Sequence, residues 1–210
     1  MDLAIKKKFG FAYIDDKDGR YTVNALRKKI DSKIAPVTGP KTCWSNTIPL
    51  KVRCFVWRAS MNKIPVISEL AKRGIMVQSN KRHLCNVESE TVDHLFTSCS
   101  FTKETMAWIF KWCGINIMHF DNISGFFDFA ASWGNCPRKR EILNTIMHCL
   151  IWCIWLEQND KAFNNSKDST PKVADKIITT SHTWYNYRSR NGGGNWVEWN
   201  CSPFIHTLLS

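Results

Sequence analysis

The hydrophobic and polar positions of this chain alternate with helical rather than strand periodicity over most of its length. Around Ile48–Ala59, the residues Val52, Phe55, Val56 and Ala59 recur at i, i+3, i+4 and i+7, which predicts an amphipathic helix with Thr47 as its cap and Pro49 in its first turn. Ile64–Gly74 reads as a second, shorter helix, with Pro65 at its start, Glu69 early, Lys72 and Arg73 in the last turn and Gly74 just past the end. A third is predicted to carry His94, capped by Ser89, with Glu90 and Asp93 in its first turn and Val92, Leu95 and Phe96 facing the core. Phe101–Trp112 follows with Met106, Ile109 and Trp112 inward, and Asp121–Pro137 reads as aromatic but irregular.

The longest helical pattern runs from Glu141 to Phe163, where Leu143, Ile146, Met147, Leu150, Ile151 and Ile154 repeat at 3.6-residue spacing. His148 and Cys149 lie inside it and read as packing residues. Asn164–Pro171 is a polar linker, and Pro171–Trp184 a last amphipathic helix with Val173, Ile177 and Trp184 on its inner face. Asn191-Gly-Gly-Gly-Asn195 is a flexible hinge. Near the N-terminus, Asp15–Arg20 reads as a turn, Tyr21–Val23 as a short strand, and Asn24 as the cap of a helix to about Lys33. The expected fold is therefore mainly α, with a short β-hairpin near the N-terminus as the one candidate exception. Three segments are expected: a lead-in over 1–40, a helical module over 41–113 and a helical extension over 114–210.

Charge changes the picture in one place. The chain of 210 residues carries a formal +11, and nine Lys/Arg stand against the single acid Glu69 between Lys41 and Arg82, a net +8 there. Lys51, Arg53, Arg58, Lys72, Arg73, Lys81 and Arg82 are the candidate contacts to a polyanion, most simply RNA or DNA through its phosphates. Trp57, within this stretch, reads as a packing residue rather than a base-stacking one. No apolar run reaches the ~18 residues of a membrane span, and a signal peptide is not apparent, so an intracellular, nuclear setting is expected, with neither membrane nor small-molecule substrate as partner. Nine cysteines at irregular spacing suit reduced thiols better than a disulfide scaffold.

Candidate chemistry concentrates just after the basic stretch. Cys85, His94 and Cys99 are spaced C-x8-H-x4-C, and two thiolates with an imidazole are donors of the kind Zn²⁺ takes in a tetrahedral structural site. Spacing alone leaves the fourth ligand open. Tyr13-Ile-Asp-Asp16 has the form of a polymerase metal-binding hairpin, but only twelve residues precede it and Asp18-Gly19 follows at once, so it is read as a turn and no catalytic residue is assigned.

Glu90-Thr-Val-Asp-His94-Leu-Phe with Cys99 resembles the core of the reverse-transcriptase zinc-binding domain of plant LINE-type (non-LTR) retroelement polyproteins, whose pattern is C-x2-C, then E-T-x2-H-L-F-x2-C. Ile48-Pro-Leu-Lys-Val-Arg-Cys-Phe-Val-Trp-Arg58 resembles a second signature of that family. Ile64–Gly74, Trp152–Phe163 and Trp196–Pro203 resemble three more. The resemblance implies a non-catalytic zinc- and nucleic-acid-binding fragment lacking the polymerase palm. It also implies a Cys at 82, where this chain has Arg82; the adjacent His83 is then the substitute fourth ligand beside Cys85, His94 and Cys99. The alternative implications are a retroelement remnant that folds but binds neither zinc nor nucleic acid and, last in order, part of an RNA-directed DNA polymerase.

Overall fold

A computed structural model gives the structure, which describes residues 45–75, 91–190, 192 and 194–204. They belong to the unit Pro40–Ser210; Met1–Gly39 is a separate unit. The expected N-terminal turn, strand and helix, with Tyr13–Asp16, lie outside the described residues, as do Lys81, Arg82, His83, Cys85, Ser89 and Glu90.

The described residues are mainly helical, with no strand among them. The order is α1 (Leu50–Ser60), α2 (Ile67–Lys72), a single π-turn (His94–Ser98), α3 (Ser100–Cys113), α4 (Ile123–Ser132), α5 (Pro137–Asn164), α6 (Thr170–Arg188) and α7 (Trp196–Cys201). α5 is the axis of the fold. Its 28 residues span about 42 Å at 1.5 Å per residue, and from Ile142 to Ile151 every residue is buried. A helix buried on all sides needs neighbours on all sides. α1 runs beside it in the same direction: Thr47 Oγ1 lies 2.7 Å from Thr145 Oγ1, and further along Phe55 meets Trp152 and Trp155 at ring-centroid distances of 5.4 and 5.2 Å. α4 packs through Phe127, 4.6 Å from the His148 ring, and α6 returns antiparallel, bringing Lys176 Nζ within 3.1 Å of the buried Glu157. α3 packs on α6.

Local chemistry explains the ends. Gly114, at φ 65°, closes α3 in a Schellman arrangement, with Ile115 N–H donating to the Phe110 carbonyl at 2.9 Å. Pro137 opens α5, where a missing N–H costs nothing. Asn122 caps α4, its side-chain oxygen accepting from Gly125 N–H at 2.8 Å.

Several expectations are corrected. The stretch 121–137, read as irregular, contains α4; its Ile123, Phe126, Phe127 and Ala130 form a helical stripe behind the Asn122 cap, which the density of aromatics obscured. Thr47 does not cap α1: Pro49 holds that position, and Thr47 is buried against Thr145. Trp57 is 38% exposed rather than packed inward. On α6 the innermost aromatic is Tyr185, with Trp184 half-buried beside it. His148 and Cys149 are both fully buried, as packing residues should be.

Candidate metal centre and basic surface

The H-x4-C spacing poses a geometric problem. Five residues in an α-helix make about 1.4 turns, which would place His94 and Cys99 on different sides of it. The chain solves this by leaving α-geometry. Leu95 N–H still bonds the Thr91 carbonyl four residues back, at 2.9 Å. Cys99 N–H instead reaches five residues back, to the His94 carbonyl at 2.7 Å. This i→i+5 closure is a π-turn, a form that clusters at functional sites. It sets the residue five on from His94 over His94 itself. Cys99 then turns out of the helical path (φ −57°, ψ 133°) and begins α3 as its N-cap. It is buried, while His94 is half-buried.

Three threonine hydroxyls hold this turn. Thr91 Oγ1 accepts from His94 N–H at 3.0 Å. Thr97 Oγ1 donates to the Asp93 carbonyl at 2.7 Å. Thr102 Oγ1, fully buried on α3, donates to the Leu95 carbonyl at 2.7 Å. The Asp93 carboxylate accepts from Ile123 N–H at 3.0 Å, so it caps α4 and ties the turn to the C-terminal helices. The sequence reading gave Asp93 a dipole role on an α-helix carrying His94; that helix is the π-turn, and the acid serves α4. Sequence reasoning missed the threonines, whose only advance signal was a hydroxyl residue on each side of the H-x4-C span.

Of the four candidate ligands, the structure therefore places His94 and Cys99 at the two ends of one π-turn, while Cys85 and His83 lie outside the described residues. Among the described residues no three His, Cys, Asp or Glu side chains form a metal cage. The described half is an imidazole and a thiol on adjoining backbone, and that donor pair fits zinc.

The basic residues divide by environment. Lys51 and Arg58 are exposed on α1; Lys51 Nζ sits 5.3 Å from the Trp152 ring centroid, and Arg58 Nη2 donates to the Lys63 carbonyl at 3.2 Å. Lys72 and Arg73 are exposed on and just after α2, but Lys72 is paired with Glu69 at 2.6 Å, which takes up part of its charge. Arg53 is half-buried on the α5 side of α1. It lies close enough to His148 for its charge to disfavour protonation there, adding to the burial that holds this imidazole at about 4 against the hydrogen bond from its Nδ1–H to the Asn144 carbonyl. Arg53 is therefore less available to a partner than its neighbours. Lys81 and Arg82 lie outside the described residues.

Residues 21–108, fewer than half of the 210, match a protein-family model described as zinc-binding in reverse transcriptase. No curated protein and no solved structure matches the chain. None of the helices among the described residues is long and apolar enough to cross a membrane.

Proposed function

We propose that the chain is a non-catalytic module derived from a LINE-type, non-LTR retroelement of plant type, and that it binds zinc and, beside it, nucleic acid in the nucleus. The observation that carries the reading is the π-turn: its i→i+5 bond brings the backbone of Cys99 back to that of His94, and it lies within the segment that matches the zinc-binding family model. His94 and Cys99 would hold the ion together with Cys85 and His83, and the ion would cross-link the turn to the segment of chain that carries Cys85 and His83. The side chains of Lys51, Arg58, Lys72 and Arg73 stand exposed on the elements before it, which suits contact with phosphates.

Zinc analysis of the purified protein under native conditions tests the first half of the proposal, and titration with single-stranded RNA and DNA at several salt concentrations tests the second. Affinity that does not fall with rising salt would refute phosphate contact. A second reading, a remnant that folds without metal, is favoured by Arg82 in the position where the resembling family has a Cys, since a guanidinium cannot ligate zinc. Absence of stoichiometric zinc would favour that reading.

A further inference from the structure

We infer that Thr102 is a positioning residue for the metal centre: its buried hydroxyl selects the π-turn over the α-helical register and so keeps His94 and Cys99 on one side of the backbone. The inference rests on the zinc reading above. It starts from a carbonyl that the π-turn leaves over. In an α-helix, Cys99 N–H would bond the carbonyl of Leu95, four residues back. Here that N–H goes to His94, at 2.7 Å. The Leu95 carbonyl is thereby freed, in a residue that is 1% exposed, where an unmet acceptor is costly. Thr102 Oγ1 fills the vacancy at 2.7 Å, from a side chain with no exposed surface. The two registers therefore differ in which donor meets Leu95, a backbone N–H or the Thr102 hydroxyl.

Removing the hydroxyl shifts the balance. In Thr102→Val, which keeps the shape of the side chain, the Leu95 carbonyl regains a donor only if the Cys99 N–H bond moves from His94 to Leu95, from five residues back to four. That shift turns Cys99 away from His94 by about 0.4 of a revolution, the excess of five α-helical residues over one turn, and splits the ligand pair. Thr102→Ser keeps the donor. A merely structural threonine would lower stability in both metal-free and metal-bound protein and leave metal affinity alone.

The test is a Co²⁺ titration of the full chain, read by thiolate-to-cobalt charge-transfer and d–d absorption and followed by back-titration with Zn²⁺. We expect Thr102→Val to bind ten- to a hundredfold more weakly than the wild type, the range for losing an outer-shell support of a ligand, and Thr102→Ser to bind as the wild type does. Wild-type binding with equal affinity in Thr102→Val, or equal weakening in both variants, overturns the inference and leaves the zinc reading standing. Failure of the wild type to bind cobalt or zinc overturns the zinc reading and the inference with it. A measurement that needs no variant is the NMR coupling across the hydrogen bond in the wild type. The Cys99 amide nitrogen must couple to the His94 carbonyl carbon; coupling to the Leu95 carbonyl carbon overturns the inference.

Discussion

Acidification from pH 7 to pH 4 should destabilise this fold through one residue, His148. Its ring is fully buried where α5 meets α4, 4.6 Å from Phe127, with Nδ1–H donating to the Asn144 carbonyl at 2.8 Å and Nε2 without a hydrogen-bond partner among the described residues. Burial, reinforced by the positive charge of Arg53, lowers its pKa from 6.5 to about 4. The folded chain thus holds His148 neutral, while the unfolded chain takes up a proton below pH 6.5. Where the unfolded state binds more protons, stability rises with pH. The stabilising contribution is therefore complete above pH 6.5 and is lost as pH falls toward 4. A difference of 2.5 units at 1.36 kcal/mol each is about 3 kcal/mol, a large share of the 5–15 kcal/mol by which domains are usually stable. The assay is urea unfolding of metal-free protein across this range, for the wild type and for His148→Leu. The variant is expected to be less stable at pH 7, because the Asn144 carbonyl loses a donor, but the gap should shrink or reverse by about 3 kcal/mol by pH 4. Carboxylates titrating elsewhere affect both proteins and cancel in the difference. A gap that stays constant from pH 7 to pH 4 would show that His148 is not held neutral by its surroundings.

Further outcomes follow from the packing and the surface. Lys176→Met should destabilise by about 2 kcal/mol in thermal or urea unfolding, since it removes the cation 3.1 Å from the buried Glu157 carboxylate. Glu157→Gln should cost less, because the amide oxygen still accepts from Asp168 N–H, bonded at 3.2 Å in the wild type. Trp199→Ala should cost about 4 kcal/mol and raise proteolysis after residue 190, because Trp199 is fully buried, stacks on Tyr185 at 5.8 Å and donates to the Ile178 carbonyl at 3.2 Å. Lys51→Ala and Arg58→Ala should each lower the magnitude of the salt slope of nucleic-acid binding by about 1, while Arg53→Ala, half-buried, should alter stability more than the slope.

Much of the helical frame was legible in the sequence because its inward residues repeat at 3.6. Val52, Val56 and Ala59 on α1, the periodic set Leu143, Ile146, Met147, Leu150, Ile151 and Ile154 on α5, and Val173 and Ile177 on α6 are all buried as their spacing implies. α4 was missed for a specific reason. Phe126, Phe127 and Phe129 put aromatics on both sides of the helix, so the apolar stripe lost its edge. Thr47 looked like a cap because it precedes an apolar periodic run, but its hydroxyl finds Thr145 across the interface, a partner 98 residues away that no local pattern reports. The candidate site divides in the same way. Residue types and spacing marked His94 and Cys99. The π-turn that joins them depends on Thr102 reaching the Leu95 carbonyl, a hydrogen bond between two elements, and helical periodicity cannot show a register slip of one residue.

The zinc content of the full-length wild-type chain beside Cys99→Ser and His94→Ala, measured by native mass spectrometry after expression with zinc, tests the central claim most directly. One zinc per chain in the wild type, lost or sharply reduced in both variants, is the predicted result. A folded wild-type protein with no stoichiometric zinc, or zinc retained equally when Cys99 and His94 are replaced, would contradict it.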